Sequence, residues 1–289
     1  MIVFVSGAGG RTGLSIVPAL TAAGHTVRFL TRQTRYGGPL SDLQGADPVV
    51  ADLGSDAEIA RAMVDAEAVY HIPPNMHPNE IDFGKRVVAA AKSAGVAHVV
   101  YHSVLHPQVQ ALTHHWNKLF VEEALIESGL PYTILQPSSY MQNTAGDWAG
   151  IVERGVHTLA FSATAKLSLV DLDDVAAVAA QVVGQSDHFG AIYELAGPAM
   201  LSCEDKAAIL STVLGRPIRA AQDSEETFRR KAAAAGMPQH VIDTRAQMFA
   251  HYDTQGLPGN PNVLRWLLGR SPTTYEQYAR RELLPRLSR

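Results

Sequence analysis

Cysteine is almost absent from this 289-residue chain: the lone thiol, Cys203, excludes an internal disulfide. Its surroundings, Leu201-Ser-Cys-Glu-Asp205, read as the start of a helix, which leaves it either a reactive thiol or an incidental side chain. No apolar run is long enough to span a bilayer. Ile2-Val-Phe-Val5 follows no basic segment and is too short for a signal core, so the expected location is the cytoplasm. Formal net charge is -4 with lysine and arginine dispersed, so no basic stripe points to nucleic acid or an anionic membrane. Tandem repeats and low-complexity linkers are also missing. The length allows a large core, as one elaborated domain or a domain with a smaller appendage.

Glycine, by contrast, is concentrated where it matters. The strand-like run Met1-Ile-Val-Phe-Val-Ser6 leads into Gly7-Ala-Gly-Gly-Arg-Thr-Gly13 and then a helix-like segment. Strand, glycine turn and helix in that order make a phosphate cradle, because the backbone comes close to the anion and the helix N-terminus faces it. Gly7, Gly10 and Gly13 match G-x-x-G-x-x-G, whereas G-x-G-x-x-G fails because its last position falls on Thr12.

Further along, strand and helix alternate. Helical spacing runs from Leu14 to Ala23 and stops at Gly24. Pro18 lies inside it, at a cost of about 3 kcal/mol unless packing offsets it. Strands are expected at 26–31, 48–52, 68–72, 96–103 and 132–136, and helices at 79–94 and 113–128. Ser55-Asp-Ala-Glu58 is a capping-box pattern that opens another helix. Beyond Pro137 the rhythm loosens into strands at 167–170 and 192–195 and helices at 173–183, 202–214, 224–235, 238–252, 261–268 and 273–283. The expected class is α/β: a Rossmann-type doubly wound parallel sheet over residues 1–150. Residues 151–289 would complete the sheet and form a smaller, mostly helical substrate-binding part.

A second absence bears on the cofactor. No acid occurs between Phe29 and Arg35, where an NAD site wants a carboxylate for the adenosine ribose, and an S-adenosylmethionine site is disfavoured for the same reason. Arg32 and Arg35 stand there instead, with Arg11 in the glycine loop, so NADP(H) is favoured over NAD(H) by charge. Asp52-Leu53, after the third strand, would lie beside the adenine, or Asp52 serves only as a strand-end turn residue.

With these features, Pro73-Pro74, His115-Trp-Asn-Lys118 and Gly129-Leu-Pro-Tyr-Thr-Ile-Leu-Gln-Pro137, the chain resembles the NmrA-like atypical short-chain dehydrogenases/reductases over nearly its whole length. Asp171-Leu-Asp-Asp-Val-Ala176 and Leu268-Gly-Arg-Ser-Pro-Thr-Thr-Tyr275 add to the likeness. The family includes NADPH-dependent quinone and triphenylmethane reductases, and redox sensors that bind the dinucleotide without known turnover. The resemblance implies phosphate contacts from Gly7, Gly10, Arg11, Thr12 and Gly13 and a 2′-phosphate contact from Arg32. It assigns the middle of the cofactor to Pro73 and Pro74, and the nicotinamide end to Pro137 and Ser138. The partner it implies is a small apolar aromatic substrate, with the chain a monomer or homodimer.

The third absence is catalytic. Ordinary short-chain reductases pair Tyr and Lys as Y-x-x-x-K, one helical turn apart; this chain has His114-x-x-x-Lys118, with Ser103 where the serine is expected. Lys118 would hold the nicotinamide ribose, or else be an exposed helix cation. His114 would donate a proton near neutral pH, or simply line the mouth of the pocket. Ser103 would assist, or bond its own backbone. His98, His102 and His106 recur every fourth residue but on a strand and loop rather than a helix, so no metal site is expected. Three functions remain open. They are an NAD(P)H-dependent reductase of a quinone or planar aromatic carbonyl, a non-catalytic redox sensor, and a tailoring oxidoreductase of aromatic natural products.

Overall fold

Continuous apolar runs in the first half of the chain build strands buried on both faces, as a sheet covered by helices requires. A computed structural model describes residues 1–34 and 36–288. The elements run β1 (Ile2–Ser6), α1 (Arg11–Ala22), β2 (Thr26–Thr31), β3 (Ala46–Val50), α2 (Asp56–Ala62), β4 (Ala68–His71), α3 (Glu80–Ser93), β5 (His98–His102), α4 (Thr113–Glu127) and β6 (Tyr132–Pro137). They continue β7 (Ser139–Tyr140), α5 (Trp148–Arg154), β8 (Val156–Leu159), β9 (Leu167–Val170), α6 (Leu172–Val182), β10 (Ala191–Leu195), β11 (Met200–Leu201), α7 (Cys203–Leu214) and β12 (Arg219–Gln222). Four helices follow: α8 (Glu225–Ala234), α9 (Gln239–Gln255), α10 (Asn262–Leu268) and α11 (Tyr275–Tyr278). Among the described residues no helix is long and apolar enough to cross a membrane.

The chain divides into two compact units. The first comprises residues 1–108, 114–136 and 175–193, and the second 109–113, 137–174 and 194–289. A seven-stranded sheet ordered β10-β6-β5-β4-β1-β2-β3 dominates the first unit. β1 to β6 pair in parallel, in the doubly wound order that puts ligands at the carboxyl ends of the strands. β4 and β5 are buried throughout, whereas β3, at the edge, is largely exposed. Its Pro48 is harmless there, because an edge strand need not donate every N–H. The expected strand at 48–52 begins two residues earlier, straight after Gly45, whose φ is +83°.

Register aligns the strand ends into a row: Ser6 pairs with His71, and His71 with Tyr101. Below that row Phe4, Ile59, Met63, Val69, Val87, Val99, Val121 and Ile134 form one apolar cluster with α2, α3 and α4. α3 and α4 touch closely at Gly84, where a Cβ would stand 2.5 Å from Val121 Cγ2. α1 runs through Pro18 intact, with Ile16, Val17 and Leu20 fully buried around it. The expected capping box at Ser55 forms by half: Ser55 Oγ accepts the Glu58 N–H, but Glu58 turns to the Asp52 N–H at 2.8 Å.

The second unit contains more strand than its composition suggests. β11-β9-β7 form one small sheet, and β8 pairs with β12 in a second. β9 lies at the expected 167–170; the other four strands are two to four residues long, too short to carry a period of two. The expected helix at 273–283 is α11 followed by a π-helical turn, Ala279–Leu283.

Candidate active site

Gly7 follows β1 at φ +69°, and a Cβ there would lie 2.5 Å from the Ile72 carbonyl oxygen. A Cβ at Gly13 would lie 2.3 Å from Ala8 Cα. Both glycines are therefore demanded by the packing of the turn itself. Gly10 is the extended N-cap of α1, and its N–H donates to Gly7 O at 3.1 Å. It has no side chain to cap with, and the first turn holds no acid. The first N–H groups of α1 have no carbonyl partner within the helix and lie at the positive end of its dipole, and a diphosphate fits that cradle.

The neighbouring strand ends hold the other expected residues. Arg32 directly follows β2, exposed and with no ion-pair partner among the described residues. Arg35 lies outside the described residues. Asp52 takes its turn role: its Oδ1 accepts the Gly54 N–H at 2.7 Å, while Leu53 packs on the apolar cluster. Pro73 and Pro74 follow β4. Ser6 ties that strand to the glycine turn, with Oγ 2.6 Å from His71 Nδ1 and accepting the Ile72 N–H at 3.1 Å.

Above the apolar cluster sits a layer of buried polar groups. Lys118 on α4 donates to Glu80 on α3, and both are buried. One turn further along α4, Glu122 accepts the Ser103 hydroxyl and two bonds from Gln136 Nε2, at 2.9 and 3.1 Å. Ser103 is therefore committed to a carboxylate, and does not bond its own backbone. Burial raises the Glu122 pKa, while the Ser103 and Gln136 donors oppose the rise. The His71 ring stacks on Tyr101, with centroids 5.6 Å apart. Burial, then the Lys118 charge, pushes His71 down to about 3; burial, Glu80 and Glu122 push the Tyr101 hydroxyl well up.

Lys118 is thus no exposed helix cation. His114 lies buried, edge-on to His115, with ring centroids 4.3 Å apart. His115 Nδ1 donates to Leu105 O at 2.7 Å. Sequence reading missed Glu80, Glu122, Gln136 and His71. The signal for Glu122 was present, because positions 114, 118 and 122 share one helix face. The three histidines at four-residue spacing separate. His98 accepts the Gly184 N–H at 3.0 Å, His102 meets the Tyr70 hydroxyl at 2.8 Å, and His106 occupies a loop at φ +57°. No metal-binding group of His, Cys, Asp and Glu occurs among the described residues.

In the second unit, Pro137 closes β6 and the Ser138 N–H donates to Leu195 O at 3.0 Å. Ser138 Oγ is buried without a hydrogen-bond partner among the described residues, a polar atom available to an amide. Cys203 is buried, and its thiol donates to His157 O at 3.4 Å. Burial raises its pKa, which makes it a packed side chain rather than a reactive one.

Known proteins are similar to this chain over most of its length. An NAD(P)H azoreductase of Xenophilus azovorans is 27% identical over 284 residues, covering 96% of this chain and 97% of that protein. A (4-alkanoyl-5-oxo-2,5-dihydrofuran-3-yl)methyl phosphate reductase of Streptomyces griseus is 34% identical over 75% of this chain and 76% of its own. Among solved structures, the NADPH-dependent quinone oxidoreductase QOR2 of Escherichia coli, complexed with NADPH, superposes with a TM-score of 0.85 at 26% identity, both chains fully covered. The model of the NmrA-like family matches residues 1–279, and the chain belongs to that family.

Proposed function

We propose that this protein is an NADPH-preferring reductase of quinones or similar planar aromatic acceptors. That it is an oxidoreductase follows from full-length likeness to named reductases. The preference for NADPH is carried by one observation: the end of β2 presents the exposed Arg32 and no carboxylate. An aromatic acceptor is supported by two relatives, named as an azoreductase and a quinone oxidoreductase, since both names denote conjugated acceptors.

In this reading Gly7, Gly10, Arg11, Thr12 and Gly13 hold the diphosphate, Arg32 the 2′-phosphate, Pro73 and Pro74 the middle of the dinucleotide, and Ser138 its carboxamide. The bound dihydronicotinamide supplies a hydride. Lys118 holds the nicotinamide ribose and offers positive charge to oxygen developing negative charge, which is the need of a quinone more than a tuned phenol. Proton delivery falls to His114, because the Ser103 hydroxyl is committed to Glu122. A fluorescence titration with NADPH and NADH, followed by turnover with a panel of quinones and aromatic ketones, tests the reading. Absence of dinucleotide binding, or of NADPH oxidation with every acceptor, overturns it.

A further inference from the structure

Glu80 stands one turn before Gly84 on α3, and Lys118 nearly one turn before Val121 on α4. Because Gly84 lets the two helices touch, the side chains one turn along meet as an ion pair. The Glu80 side chain is 0% exposed and that of Lys118 only 7%. Taking two charges out of water gains little or nothing over well-packed apolar side chains of similar volume, so stability alone does not explain the pair. Placement of charge does.

His71 faces Lys118 from β4, His102 from β5 and His115 from α4 itself, and burial together with the Lys118 charge keeps all three neutral. Tyr101 on β5 faces both Glu80 and Glu122 and stays protonated. Among the described residues, the one opposing charge bonded to Lys118 is therefore Glu80. We propose that Glu80 is the positioning residue of Lys118, holding the ammonium charged and fixed at the carboxyl ends of β4 and β5. There it meets the nicotinamide ribose and the acceptor oxygen, and the inference rests on the reductase reading for that step.

The substitution Glu80→Gln keeps the shape and removes the charge. A buried ammonium without its counter-charge favours the neutral amine, so in E80Q both NADPH affinity and turnover fall as pH rises through a range where the wild type is flat. At the high-pH end, NADPH binding measured by fluorescence weakens about tenfold, about 1.4 kcal/mol. Glu80→Asp restores most of the affinity and the wild-type pH profile. Without any dinucleotide, E80Q lowers the urea midpoint, and adding Lys118→Met restores it because no charge is left unpaired. Wild-type affinity and pH dependence in E80Q, or an E80D variant as impaired as E80Q, would make Glu80 purely structural and overturn the proposal. If the wild-type protein binds neither dinucleotide, the reductase reading fails by itself. The urea series still decides whether Glu80 holds Lys118, and equal midpoints for E80Q with and without Lys118→Met would show that it does not.

Discussion

At the scale of single residues, the proposed preference for NADPH rests on Arg32. A guanidinium on a phosphate contributes about 1.5–3 kcal/mol, roughly ten- to a hundredfold in affinity. Arg32→Ala is expected to weaken NADPH binding by that factor while leaving NADH nearly unchanged, measured by titrating both dinucleotides. Equal losses would place the 2′-phosphate elsewhere. The placement of such residues was legible in the sequence because it is set locally. Gly7 and Gly13 are fixed by contacts with Ile72 and Ala8 around a single turn, and Arg32 by its place at a strand end. The partner of Lys118 was not legible, since Glu80 is 38 residues away and the two meet only through the approach of α3 to α4. Ser103 was seen as a strand-end hydroxyl, but its bond to Glu122 depends on which face of α4 turns inward.

At the scale of elements, the two acidic positions at the start of α6 explain a resemblance that the sequence left without a mechanism. Asp171 accepts from Arg281 at 2.8 and 3.0 Å and from Gln142 at 2.8 Å; Asp174 accepts from Arg270 and from the Thr273 N–H, both at 2.6 Å. Asp174 thus anchors the Gly-Arg-Ser-Pro-Thr-Thr segment, and Asp171 anchors the turn that follows α11 at Arg281. Removing one partner of a buried pair costs about 3–5 kcal/mol; with Arg281 39% exposed and Gln142 retained, Arg281→Ala is expected to lose about 2 kcal/mol. Arg280→Ala removes only a surface pair with Glu276, and is expected to lose less than about 0.5 kcal/mol. Urea unfolding of both variants checks the contrast, and similar losses would refute the anchoring role. Strands β1, β4, β5 and β6 were readable because buried parallel strands are largely continuous apolar runs. β7, β8, β11 and β12 were not, because two to four residues have no readable period and pair only once the surrounding chain is in place.

At the scale of the whole molecule, the buried histidines set the response to acid. His71 and His102 are pushed down to about 3, and His98 and His115 to about 4, in each case chiefly by burial. All four lie in the first unit. Each is neutral when folded and takes up a proton near pH 6.5 when unfolded, so between those values the unfolded chain binds more protons. Their contribution is complete above pH 6.5 and is lost as pH falls toward 3 to 4, at about 1.4 kcal/mol per pH unit for each histidine. Four such groups remove about 5 kcal/mol per unit, comparable to the stability of an ordinary domain within one or two units. Urea midpoints measured from pH 8 to pH 4 are therefore expected to be flat above neutrality and to fall steeply below about pH 6. Among the described residues, the second unit holds one buried histidine of this kind, His157, whose fall in pKa the Asp147 carboxylate opposes. Acid should thus act on the first unit first, with hydrogen exchange at pH 5 losing protection in β4 and β5 before β8 and β12. Simultaneous loss in both, or a flat midpoint down to pH 4, would mean that these histidines are protonated in the folded protein at no cost, against their burial in the sheet.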